Sequence, residues 1–263
     1  FTFEYADLAV INLDDPYGKR LAAKTELPVV TLSRLDATAI WHFASIESDY
    51  VGASVSIRGS GGILIEGKTA LHGGFNYDNL LMAVAIAVES GIDPIDIAAI
   101  LPTLNGAAGR LEAVRLGQNF TALVDYAHSP DAVKRVLETA AEIADGKVIA
   151  VLGCGGDRDK TKRTLMGQAL HEGADIAIYT SDNPRSEKAE DILVQMVLDI
   201  DVLPPSEVIA DRAQAIRAAV NLAQAGDVVM VLGKGHEKGQ EINGQIHEFD
   251  DRIELAKAIE DKK

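Results

Sequence analysis

The chain has 263 residues, too many for one average domain and comfortable for two. Hydrophobic residues make up 47% of it, enough for a sizeable buried core, and the net charge of −15 argues against a general nucleic-acid binder, which carries a basic patch or stripe. The sole cysteine, Cys154, excludes an internal disulfide framework; no apolar run reaches the roughly 18 residues of a membrane-spanning helix, and no charged-then-apolar leader opens the chain. The expectation is a soluble, cytoplasmic, monomeric protein with no membrane insertion and no nucleic-acid partner.

The region before Asn105 opens on a short strand, Leu8–Asn12, with no partner helix before it, so the chain reads as beginning mid-domain. Alternating or β-branched runs follow at Val29–Leu32, Ile40–Ile46, Ser54–Ile57 and Ile63–Ile65. Gly59, Gly61 and Gly62 predict a hairpin turn between the last two. A long apolar helix is expected over Tyr77–Glu89, stopped by Gly91, and a second over Pro94–Leu101. Pro102, Gly106 and Gly109 mark a boundary near Leu104–Gly109, which divides the chain into residues 1–107 and 108–263.

Beyond that boundary the texture is strand–helix–strand. Strands are predicted at Leu123–Tyr126, Val148–Leu152, Ile176–Thr180, Val208–Ala210 and Val228–Leu232. Helices are predicted at Asp131–Ala144, Lys162–Glu172, Ala189–Asp199, Arg212–Ala225 and Arg252–Glu260. In the first helix Val133, Val136, Leu137, Ala140 and Ile143 share one face. Val- and Ile-rich strands between such helices imply an α/β fold, Rossmann-like, with a mostly parallel sheet covered on both sides. Ligands of such sheets sit at the carboxyl ends of the strands.

One stretch imitates a phosphate loop. Residues Gly62 to Thr69 match G-x-x-x-x-G-K-[ST], but that loop needs a strand before it and a helix directly after. Here the middle residues are themselves strand-like, and Ala70 to Gly74 is no helix start. Two hairpin strands with Lys68 in solvent are expected instead. The dinucleotide fingerprint G-x-G-x-x-G also fails, because Arg158 and Lys238 stand where the third glycine belongs.

Four loops carry candidate chemistry. Gly153-Cys154-Gly155-Gly156-Asp157-Arg158 follows a buried strand; its glycines permit close backbone approach and Arg158 offers a planar fork for a carboxylate. A tight turn with a solvated charge cluster explains the same residues. Asp182-Asn183-Pro184-Arg185 follows the next strand. It can hold both ends of an amino acid, Asp182 taking an ammonium, Asn183 and Arg185 a carboxylate, or it can serve as a helix-capping turn. Gly233-Lys234-Gly235-His236-Glu237 follows the last core strand, with glycine access beside titratable groups or as a plain loop exit. Asp125 to Asp131 ends the first strand of this region. Asp125 is suited to ribose hydroxyls and His128 to a base, while Ser129 caps a helix with Pro130 in its first turn. Cys154 reads as a small packed residue rather than a nucleophile.

The motifs VDYAHSPDAV, GCGGDRDKTKR, SDNPRSE and LGKGHE, in this order, resemble the C-terminal domain of the Mur ligases, in the branch that adds diaminopimelate. VINLDDPYGKRLA, GGFNYDNLL and GRLE resemble the end of that family's central ATPase domain and the hinge. The resemblance covers essentially the whole chain. It implies ATP-dependent amide formation on UDP-MurNAc-L-Ala-D-Glu through an acyl phosphate, with Mg2+ offsetting phosphate charge. It assigns Arg158, Asp182, Asn183, Pro184, Arg185, Gly233 and Glu237 to meso-diaminopimelate. It assigns Asn76, Asn79, Arg110, Asp125 and His128 to ATP. The family's phosphate loop, and a carbamylated lysine that helps hold magnesium, would fall before Phe1. The expectation is therefore a truncated chain, inactive alone and without a metal site of its own. A lysine- or glutamate-adding relative and a non-catalytic amino-acid-binding module stand as alternatives.

Overall fold

The computed structural model describes residues 6–49 and 51–262. The chain divides between Asn105 and Gly106 into two compact units. The first contains β1 (Ala9–Asn12), α1 (Pro16–Ala22), β2 (Val29–Ser33), β3 (Trp41–Asp49), β4 (Gly52–Arg58), β5 (Leu64–Thr69), α2 (Gly74–Glu89) and α3 (Pro94–Ile100). Its sheet runs β1-β2-β3-β4-β5; β1 to β3 are parallel, and β3 to β5 antiparallel. The opening strand thus has a partner, reached through α1, which the sequence reading lacks. Gly18 permits this close crossover, since a Cβ there would lie 1.9 Å from the Asn12 carbonyl oxygen.

Trp41, Ile57, Ile65 and Leu81 are almost fully buried between this sheet and α2. Gly61 and Gly62 take positive φ in a single 3-10 turn between β4 and β5, as the hairpin requires. The phosphate-loop imitation resolves as expected. Lys68 is exposed on β5, opposite Ser54 of β4, and the next helix begins only at Gly74.

The second unit contains β6 (Glu112–Ala113), β7 (Thr121–Asp125), α4 (Pro130–Ile143), β8 (Val148–Cys154), α5 (Thr161–Gly173), β9 (Ile176–Ser181), α6 (Ala189–Met196) and β10 (Glu207–Val208). It continues with α7 (Arg212–Leu222), β11 (Val228–Leu232), β12 (Gly239–Ile242), β13 (Gln245–Glu248) and α8 (Asp251–Lys262). Strand order is β10-β9-β8-β11-β7-β6, parallel except for β6. Val148, Ala150 and Leu152 face a core shared with α4, α5 and α6; Ile149 and Val151 face one shared with α7 and α8. Burial on both faces is why these strands read as unbroken apolar runs. Leu232 aligns with Asp125 and Leu152, and Cys154 with Ser181, so four strand-end loops leave one edge of the sheet.

Two helices end sooner than predicted, α6 at Met196 and α7 at Leu222, and β10 covers only Glu207–Val208 at the sheet edge. The β12–β13 hairpin is absent from the sequence reading, although Asn243-Gly244 at its tip, both with positive φ, is a strong hairpin signal.

Beneath the loops lies a buried ion pair. Arg212, the first residue of α7, meets Asp251, the first of α8, through Nε and Nη2 at 2.7 Å each. The same guanidinium donates to the carbonyls of Ser181 at 3.2 Å and Leu232 at 2.8 Å, the last residues of β9 and β11. Replacing Arg212 with Met would leave Asp251 charged and unpaired, which costs about 3–5 kcal/mol. Urea unfolding of the second unit is expected to show that loss; an unchanged midpoint would contradict it.

Candidate functional site at the carboxyl edge of the second sheet

The loops after β8, β9 and β11 surround a cavity of about 390 Å³. Arg158, Asp182, Asn183, Arg185, Gly233 and Glu237 line it, and His128 joins from the loop after β7. Seven of the twelve residues selected from the sequence therefore meet in one place. Pro184 is buried and absent from the lining; a Cβ on Gly156 would sit 1.8 Å from its carbonyl, so it shapes the turn.

The cavity is lined by both cationic and anionic side chains, with Asp182 and Arg185 on one turn. Arg185 holds a left-handed backbone, φ 54°, and its Nη1 donates to the Gly156 carbonyl at 2.8 Å. Arg158 is exposed, and donates only a long 3.3 Å bond to Asp157 O among the described residues. Asp182 is 9% exposed, and its carboxylate has no hydrogen-bond donor among the described residues. Burial pushes its pKa up, against the opposing pull of Arg212 and Lys234. A Cβ on Gly233 would come within 2.8 Å of Asp182 Oδ2, and Gly233 has φ 111°, so glycine is required there.

Asn183 departs from the role expected of it. Its Nδ2 donates to Glu237 Oε2 at 2.9 Å, and its Oδ1 accepts from Lys234 Nζ at 2.9 Å and the Glu241 amide at 3.0 Å. The amide ties three segments together, leaving one N–H at most for a ligand. Lys234, fully buried, completes this knot through Glu237 Oε2 at 3.2 Å. Glu237 keeps its other carboxylate oxygen without a donor among the described residues. Lys234 lies inside a motif the sequence singles out, but it was not assigned to the site; its position between two glycines after a buried strand is the available signal.

A second brace holds the Gly155–Asp157 loop. Arg163, 1% exposed, donates to Glu187 through Nη1 and Nη2 at 3.0 and 2.7 Å and to Gly155 O at 3.1 Å. Those bonds, with the Asp157 amide, hold the Glu187 carboxyl well below the usual carboxylate range. Cys154 packs against Met166 at 3.7 Å, and burial pushes its thiol pKa up to about 12, which fits a packed residue and not a nucleophile.

The residues assigned to nucleotide are divided between the two units. Arg110 lies over the Tyr126 ring at 5.3 Å, and His128 meets the same ring at 4.6 Å, so an aromatic–cationic cluster forms beside the cavity. Tyr126 was missed as its centre. Asp125 is buried, and its two oxygens accept from the amides of Leu111 at 2.9 Å and Ala127 at 2.8 Å, so its carboxylate anchors the loop. Asn76 and Asn79 belong to α2 of the first unit. Asn76 is buried and donates to His72 O at 2.9 Å; Asn79 is exposed. Among the described residues no three His, Cys, Asp or Glu side chains group as a metal site, and no helix is long and apolar enough to cross a membrane.

Asp182 gives a pH prediction. Its folded pKa lies above the ordinary value, so the stability its protonated form contributes is full below the ordinary carboxylate range. That contribution is lost as pH rises through the raised value. At pH 7, above the ordinary carboxylate range, the wild type has therefore lost stability through Asp182 that Asp182→Asn does not lose. Thermal unfolding should find the variant more stable at pH 7, with the advantage vanishing in acid; a destabilised variant at pH 7 would contradict this.

Sequence profiles for "Mur ligase middle domain" and "Mur ligase, glutamate ligase domain" match residues 2–87 and 109–235. The UDP-N-acetylmuramoyl-L-alanyl-D-glutamate--2,6-diaminopimelate ligase of Streptomyces coelicolor is 45% identical over 98% of this chain and 52% of its own length. The enzyme of the same name from Streptomyces avermitilis is 42% identical over 99% and 53%. A solved structure of a ligase of that name superposes with a TM-score of 0.75 at 39% identity, over 97% of this chain and 53% of its own. The chain thus spans about half the length of the curated relatives it matches. Matching profiles for both units, and the fold of the solved ligase across them, place this chain in the Mur ligase family of ATP-dependent amide ligases.

Proposed function

We propose that this chain supplies the amino-acid-binding part of a ligase that joins meso-diaminopimelate to UDP-MurNAc-L-Ala-D-Glu. The carrying observation is the charge pattern of one cavity. Arg163 of the lining is already engaged by Glu187, and Asp159 and Lys162 also border the cavity; Arg158 and Arg185 offer two guanidinium groups, and Asp182 and Glu237 two carboxylates. Diaminopimelate has two ammonium and two carboxylate groups, one pair at each end, and so matches that set in kind. Lysine lacks the second carboxylate and leaves one guanidinium unanswered. The activity named for the relatives supports the same ligand.

In the reaction, the γ-carboxylate of D-glutamate takes the terminal phosphoryl group of ATP and ADP leaves; Mg2+, when bound, would offset phosphate charge. An unprotonated amine of the amino acid then attacks the acyl carbon. An amide forms, phosphate leaves and the amine gives up a proton. The cavity residues bind and orient the amino acid, so that attack becomes effectively intramolecular. Arg110, Tyr126 and His128 offer a cationic and aromatic surface suited to the nucleotide. ATP-dependent chemistry on a nucleotide-linked precursor places the work in the cytoplasm.

Calorimetric titration tests the ligand. Meso-diaminopimelate should bind, and L-lysine should bind at least about tenfold more weakly, the worth of one charge-assisted contact. Arg185→Ala should abolish the difference. Equal binding of both amino acids by the wild type would mean that Arg185 does not read the extra carboxylate and would return lysine as a candidate.

A further inference from the structure

The hairpin β12–β13 is docked on the turn that carries Arg185. The Arg185 amide donates to Glu241 O at 2.9 Å, and the Asn243 amide donates to Arg185 O at 2.7 Å. Gln240 Nε2 reaches Ser181 Oγ at 2.9 Å and Asp182 O at 2.6 Å. These bonds fix the backbones of Arg185 and Glu241 side by side. The Glu241 carboxylate consequently stands 3.2 Å from Arg185 Nε, with the Arg185 side chain 20% and the Glu241 side chain 39% exposed.

We infer that Glu241 is a specificity-determining residue, a resident counter-anion that an incoming carboxylate must displace from Arg185. This rests on the proposed reading of the cavity as an amino-acid site. A guanidinium grips a carboxylate through two parallel N–H groups, and its Nε edge is one of the two edges able to do so. Glu241 occupies Nε, and the Gly156 carbonyl occupies Nη1. Arg185 is therefore never a bare cation. A ligand bearing a distal carboxylate exchanges one anion for another, and its net gain is reduced by the contact it replaces. A ligand without that carboxylate leaves the pair untouched. Glu241 thus lowers affinity for the diacid and keeps Arg185 neutralised and oriented between encounters.

Because none of the docking bonds uses the Glu241 side chain, Glu241→Gln removes the charge and keeps the hairpin. Meso-diaminopimelate and L-lysine would be titrated by calorimetry into the 263-residue wild type, Glu241→Gln and Arg185→Ala. Exposed ion pairs are weak, so Glu241→Gln should tighten diaminopimelate about two- to fivefold and leave lysine unchanged. Unchanged or weaker diaminopimelate binding by Glu241→Gln, with Arg185→Ala still harmful, would overturn the displacement and leave the site reading intact. An equal gain for lysine would overturn it too, since Glu241 would then act on the shared end. Diaminopimelate binding that is absent, or indifferent to Arg185→Ala, would overturn the site reading and this inference with it.

Discussion

The guanidinium of Arg212 is the point on which the second unit's site depends. It lies 1% exposed between Ser181 O and Leu232 O and meets Asp251 through two bonds. A charge this deep is tolerable only when paired and when its remaining donors are used. Arg212 meets both conditions by closing on the last residues of β9 and β11. The loops that line the cavity start one residue later. The guanidinium that pairs with Asp251 therefore also fixes the origin of the Asp182 turn against that of the Gly233 loop.

Lys234 repeats this logic one layer nearer the cavity. Its ammonium has Asn183 and Glu237 as partners, and the Asn183 amide passes the constraint on to the hairpin through Glu241. Two buried cations so hold two carboxylates in place without filling the cavity. In the proposed site, Asp182 and one oxygen of Glu237 would receive a ligand ammonium. Burial raises the Asp182 pKa, and in the proposed site a ligand ammonium beside it would favour the charged form. Stability and binding pull against each other at this residue, as they commonly do at binding sites.

Much of this was legible in the sequence, for a physical reason. Strands buried on both faces, such as Val148–Cys154 and Val228–Leu232, have no freedom to be polar, so apolar runs reveal them. Loops leaving such strands at a ligand-binding edge carry glycine and charge, so their location was legible too. Helix α1 was not, because it buries no residue and begins with Pro16-Tyr17-Gly18. The β12–β13 hairpin shows no fully buried residue, so only Asn243-Gly244 signals it. Side-chain roles were the least legible. Asn183 reads as a ligand donor until the glutamate 54 positions away is found to accept from its Nδ2. Arg212 reads as a helix-surface residue until Asp251, 39 positions on, is placed against it.

The central claim is that the loops after β8, β9 and β11 form one amino-acid site. The most direct measurement is an amide ¹H–¹⁵N spectrum of the chain titrated with meso-diaminopimelate. Saturable shifts should concentrate on Gly155, Asn183, Arg185, Gly233 and Glu237. Shifts confined to the first unit, or no shifts at a concentration where calorimetry shows saturation, would contradict the account.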